Sequence, residues 1–128
     1  MSQSALLIID VQQSFQHRPF WQEDDLPAFQ QALTESGLNA WLRERDINHL
    51  IVSGIRTEQC CETTTRVASD LGYRVTFVTE ATLTFPMRHP GGEVFTPAQL
   101  KRHTETVLVD RFARIASVDE ALAQLAQE

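Results

Sequence analysis

The sequence predicts an α/β protein built on a parallel sheet of about four strands. Three observations carry that expectation. Short apolar runs that read as buried strands alternate with segments of helical periodicity, in the order β-α-β-α-β-α-β-α. Turn and capping residues fall at the joints between them. The 128 residues suffice for a single domain spanning 1–128, and a chain of that size buries roughly two-thirds of its unfolded surface.

Residues 5–9 form a continuous apolar run ending at Asp10, as in a strand buried on both faces. Residues 26–46 read as helical, with Leu26, Phe29, Leu33, Leu38, Trp41 and Leu42 at three-to-four spacing and a weak point at Gly37. Residues 49–53 are a second strand, stopped by Gly54. Residues 58–71 place Cys61, Thr64, Ala68 and Leu71 on one helical face, and Gly72 supplies the stop. Residues 74–79 are a third strand, and a loop with Pro86, Pro90 and Gly91-Gly92 follows over 81–95. Thr96-Pro97 opens a helix to about Val109, although Val107-Leu108-Val109 alone also fits a strand. Phe112 to Ala116 is a short fourth strand, and Ser117-Val118-Asp119-Glu120 is a capping box for the last helix.

Composition removes several function classes. A net charge of −6 argues against a nucleic-acid platform. No apolar run approaches the ~20 residues of a membrane span, and no leader with a cleavage site opens the chain. Cys60 and Cys61 are adjacent, a spacing that disfavours a disulfide, so a reducing cytoplasm is the expected compartment. Two cysteines and four scattered histidines give no metal signature, and no cofactor is expected. The cations are ten Arg and a single Lys, Lys101.

In parallel sheets, ligands bind beyond the carboxyl ends of the strands. Asp10, the turn 54–60 and the loop 80–95 should therefore lie together. Thr57 is placed to cap the helix, which puts Cys60 in its first turn. Backbone N–H groups and the positive helix end there lower a thiol's pKa and can hold an oxyanion. Asp10 can serve as base. Thiolate and carboxylate together suit acyl transfer. The competing account is that Cys60 is inert packing and Asp10 a turn residue.

Leu6-Leu7-Ile8-Ile9-Asp10-Val11-Gln12, with Phe15 following, resembles the opening of the isochorismatase-like cysteine hydrolases. Gly54-x-x-Thr57-x-x-Cys60, then Thr64, Arg66, Ala68 and Gly72-Tyr73, resembles their nucleophile motif. The resemblance implies a Rossmann-like three-layer α/β/α fold and hydrolysis of a small-molecule amide or an isochorismate-like metabolite. It assigns Cys60 as nucleophile, Asp10 as general base and the backbone N–H groups of Arg56 and Cys60 as oxyanion hole. Phe15, Ile55, Thr57 and Thr64 would line the substrate pocket, and the Ile55–Arg56 peptide would be cis.

One departure stands out. The family carries a catalytic Lys on a strand between the two motifs, and this sequence has no Lys before Lys101. A unit of two strands and a helix is absent near residues 30–32. That absence would leave residues 5–9 at a sheet edge, a template for pairing with another copy of the chain. Arg18, Arg56 and Arg88 are the substitute cations to consider. The other reading is a non-catalytic relative that binds a small molecule or a partner chain with the inherited pocket.

Overall fold

The computed structural model describes residues 3–9 and 38–127. Its elements are β1 (Gln3–Ile9), α1 (Leu38–Glu44) and β2 (Ile47–Ile55), then a π-helical turn (Thr57–Cys61) running into α2 (Glu62–Asp70). β3 (Arg74–Leu83) comes next, with two short strands, β4 (Met87–Arg88) and β5 (Val94–Phe95). The chain continues with α3 (Pro97–Leu108), β6 (Arg114–Ile115) and α4 (Val118–Ala126). The first part of the helical stretch expected over 26–46 lies outside the described residues.

β1, β2, β3 and β6 form one parallel sheet in that order, which is the expected class and strand count. Period-two alternation along β2 and β3 divides their side chains between two faces. Leu50, Val52, Val75 and Phe77 meet Leu42 of α1, Cys61, Ala68 of α2 and Leu108 of α3 on one face. Ile51 and Val78 meet Ala121 of α4 on the other. Helices on both faces make three layers. Because β2 is buried from both sides, Leu50, Ile51 and Val52 follow one another with no polar residue between them.

The core also holds a paired polar residue. His49 is 1% exposed, with its Nδ1 at 2.8 Å from Ser4 Oγ and its Nε2 at 2.8 Å from Thr76 Oγ1. Both hydroxyls can donate or accept, so the imidazole is satisfied in either tautomer.

The helix ends follow the expected chemistry. Thr96 Oγ1 accepts from Gln99 N–H at 3.2 Å, while Gln99 Oε1 accepts from Thr96 N–H at 2.8 Å. Ser117 and Glu120 form the same reciprocal box at 3.1 and 3.0 Å, and those hydrogen bonds hold the Glu120 carboxyl below its ordinary range. Gly72, at φ +98°, turns the chain out of α2 in a conformation that L side chains rarely adopt.

Some boundaries differ from expectation: β2 starts at Ile47 and runs past Gly54 to Ile55. β3 runs on to Leu83, because Gly54 and Ile55 pair with Thr82 and Leu83 after a register shift. The helix from Pro97 ends at Leu108 with Val109 as its C-cap, as expected, so the strand alternative for 107–109 does not form, and Val109 makes only an isolated bridge to Ala113. The fourth strand shrinks to two residues, since Phe112 and Ala113 N–H groups turn back to Leu108 C=O at 2.9 and 3.1 Å.

Phe77 is fully buried at the centre of the larger cluster. Phe77→Ala is expected to lower unfolding stability by about 3–5 kcal/mol, read from urea denaturation. A loss under about 1 kcal/mol would place the centre of the core elsewhere.

Candidate active site

β2 ends at Ile55, whose register partner is Leu83 at the end of β3. The chain then passes through a cis Ile55–Arg56 peptide into the π-helical turn that carries Cys60. The cis bond expected from the resemblance is thus present. The turn is wider than an α-turn: Cys61 N–H reaches back five residues to Arg56 C=O at 3.2 Å.

The two cysteines differ sharply. Cys60 is partly exposed, whereas Cys61 is fully buried in the core. Burial, reinforced by Cys60 and the Glu58 carboxylate, pushes the Cys61 thiol far up, which keeps it protonated. Cys61 is packing, and Cys60 is the thiol that a small molecule can reach.

Thr57 does not cap the helix as expected. Arg56 occupies the N-cap position without a side-chain cap hydrogen bond. The Thr57 hydroxyl instead reaches Thr82 Oγ1 at 2.6 Å and Leu83 C=O at 3.3 Å. Thr82 donates its single proton to Thr79 C=O at 2.6 Å, so Thr57 is the donor when the two hydroxyls pair. This chain of hydroxyls fastens the Cys60 turn to the end of β3.

A second tie involves residues that motif reading did not single out. Glu58 Oε1 accepts from Thr84 Oγ1 at 2.8 Å and lies 3.6 Å from Arg56 Nε. The Arg56 guanidinium sits 5.5 Å from the centre of the Phe85 ring. Thr82 and Thr84 are buried, whereas their neighbours Leu83 and Phe85 are exposed. The alternation Thr82-Leu83-Thr84-Phe85 was the signal available in the sequence.

Thr64, four residues after Cys60, is 0% exposed, and its Oγ1 has no hydrogen-bond partner among the described residues. Ile55 is half-buried at the end of β2. Arg88 lies on the β4–β5 ribbon, where its guanidinium donates to Gly92 C=O at 3.2 Å. Asp10, Phe15 and Arg18 lie outside the described residues. Among the described residues, no group of three His, Cys, Asp or Glu is placed to hold a metal ion. No described helix is long and apolar enough to cross a membrane.

A family model for the isochorismatase domain matches residues 28–108. The chain is 28% identical over 87 residues to the uncharacterized isochorismatase family protein YrdC of Bacillus subtilis, which covers 68% of this chain and 46% of that protein. It is 43% identical over 54 residues to Nicotinamidase 3 of Arabidopsis thaliana, covering 42% of this chain and 27% of that one. The crystal structure of a cysteine hydrolase from Pseudomonas syringae pv. phaseolicola is similar at a TM-score of 0.67 and 26% identity, over 71% of this chain and 43% of the other. The chain therefore spans less than half the length of each of these relatives.

The exposure difference sets an expected thiol count. An aromatic disulfide reagent should modify about one thiol per native chain, and about two in denaturant. The native reaction should vanish in Cys60→Ala and persist in Cys61→Ala. Equal native reactivity of both thiols would contradict the burial of Cys61.

Proposed function

The chain belongs to the isochorismatase family, and from that premise we propose that it is a cysteine hydrolase acting on a small-molecule amide or an isochorismate-like metabolite. What supports this above all is an accessible Cys60 on the turn at the carboxyl end of β2, beside a thiol that burial keeps inert. The nicotinamidase among these relatives makes a primary amide the first substrate to test.

In this reading Asp10 takes the Cys60 proton and the thiolate adds to the carbonyl carbon. The backbone N–H groups of Arg56 and Cys60 hold the oxyanion. The C–N bond breaks, and the amine leaves with the proton from Asp10. Water then gives a proton to Asp10 and cleaves the thioester, which releases the acid and restores the thiol. Phe15 and Ile55 form the surrounding wall, whereas Thr57 and Thr64 are fully buried and do not reach its surface. No cofactor enters the scheme. Two cysteines outside any disulfide fit a cytoplasmic setting.

One observation favours a second reading, a binding relative without turnover. The single Lys of the sequence, Lys101, lies on α3 rather than on a strand before the nucleophile turn. No other Lys of the sequence is available to share proton transfer with Asp10. Arg cannot take that part, because it stays charged.

Ammonia release from nicotinamide and other small primary amides decides between them. The hydrolase reading expects turnover that falls to background in Cys60→Ala and by about 100-fold or more in Asp10→Ala. Saturable binding without ammonia release selects the second reading. Turnover that survives Cys60→Ala removes Cys60 as nucleophile.

The reading extends to a homo-oligomer. β1 stands at the end of the strand order among the described residues, and its Leu6 is 59% exposed. Pairing of two β1 edges would satisfy their backbone groups. Sedimentation equilibrium should give a mass near twice 14.5 kDa, reduced by Leu6→Lys; a monomer at all concentrations rejects the pairing.

A further inference from the structure

We infer that the chain carries a second ligand site, for a phosphate-bearing small molecule, at the opposite end of the sheet from Cys60. The site is a cleft of about 610 Å³ between the amino-terminal ends of β3 and β6, the turn before β6, and α4. Its volume falls in the range of small-molecule sites. The register places it. His49 pairs with Arg74, and Thr76 pairs with Arg114, so these four residues stand on neighbouring strands. By the period of two they share one face, the face that α4 covers. Arg74 opens β3 and Leu83 closes it beside Ile55, which separates the cleft from the Cys60 turn by roughly 30 Å at strand rise.

The charge of the cleft runs against that of the chain. Three of the ten Arg, Arg74, Arg111 and Arg114, line it, and Asp110 is its one acidic lining residue among those described, in a chain of net charge −6. Arg114 donates to Gln124 Oε1 at 2.7 Å and lies 3.9 Å from Glu120. The Arg111 guanidinium is stacked 4.3 Å from the centre of the Phe112 ring, and Arg66 stacks on the same ring at 4.7 Å. Among the described residues neither Arg74 nor Arg111 has an acidic partner within salt-bridge distance. Three guanidinium side chains lining one cleft favour an anion among them. Their planar forks match phosphate oxygens in pairs, and stacking on Phe112 orients the Arg111 fork before any ligand arrives. Beneath them lie buried His49 and Thr76, hydrogen-bonded to each other at 2.8 Å.

Titration calorimetry with pyrophosphate and with phenyl phosphate tests the site, with phenol as the uncharged counterpart. Both anions should bind saturably and phenol should not. Affinity should fall at least tenfold in Arg74→Gln/Arg111→Gln and with rising salt, and stay unchanged in Arg102→Gln on α3. Both altered residues are exposed, and each single variant gives the same reading if the pair lowers folding yield. Amide NMR shifts on adding phenyl phosphate should cluster at Thr76, residues 111–115 and Gln124 rather than at the Cys60 turn. Absence of saturable binding overturns the inference, as do equal affinity for phenol, undiminished affinity in the double variant and shifts confined to the Cys60 turn.

Discussion

The structure depends on the burial of β2 from both faces and along both edges. β1 and β3 pair with its two sides, while α1 and α2 pack on one face and α4 closes over the other. Burying a Leu or Val side chain is worth about 1.5–3 kcal/mol, and β2 contributes Leu50, Ile51 and Val52 in succession. A strand fixed on four sides is a rigid base for the turn at its end. The residues beyond Ile55 inherit that rigidity, and Cys60 is the fourth residue of the π-helical turn that opens two positions later.

Rigidity at the end of β2 still leaves the turn to be held, and neighbouring β3 does that. The hydroxyls of Thr57 and Thr82 and the Thr79 carbonyl link the turn to the sheet, and the Glu58–Thr84 bond links it to the loop beyond. On the other side, Glu62 joins α2 to α3 by accepting from Thr104 Oγ1 at 3.0 Å, and accepts from Arg66 Nε at 3.3 Å. Displacing the Cys60 turn therefore requires several buried polar groups to lose partners together, each at a cost of about 1–3 kcal/mol.

The parts legible in the sequence were those written in local patterns. The Thr96-Pro97 and Ser117–Glu120 caps need only four consecutive residues, and both formed as expected. The burial of Cys61 and Ala68 followed from helical spacing alone. What local reading missed depends on partners distant in sequence. Thr57 has a cap-forming side chain in a cap-like position, yet Thr82, 25 residues away, takes its hydroxyl instead. β3 lengthened because Gly54 and Ile55 offered it ladder partners after a register shift, which no pattern within residues 80–83 reveals. The wide turn at Cys60 is likewise set by a carbonyl five residues before Cys61, beyond the reach of an α-helical template.

The imbalance of ten Arg to one Lys acquires a physical content from these contacts. Arg43 lies 4.9 Å from the Tyr73 ring, Arg45 3.9 Å from the Trp41 ring and Arg56 5.5 Å from the Phe85 ring, and Arg66 and Arg111 both stack on Phe112. A planar, weakly hydrated guanidinium suits such stacking better than an ammonium does. Half of the arginines thus join helix and turn surfaces to aromatic side chains. The same permanence of charge that makes Arg a good stacking cation makes it a poor carrier of protons. A chain that uses Arg almost alone is therefore equipped to orient anions at fixed positions. An Arg near Cys60, such as Arg56, can hold charge there but not move a proton.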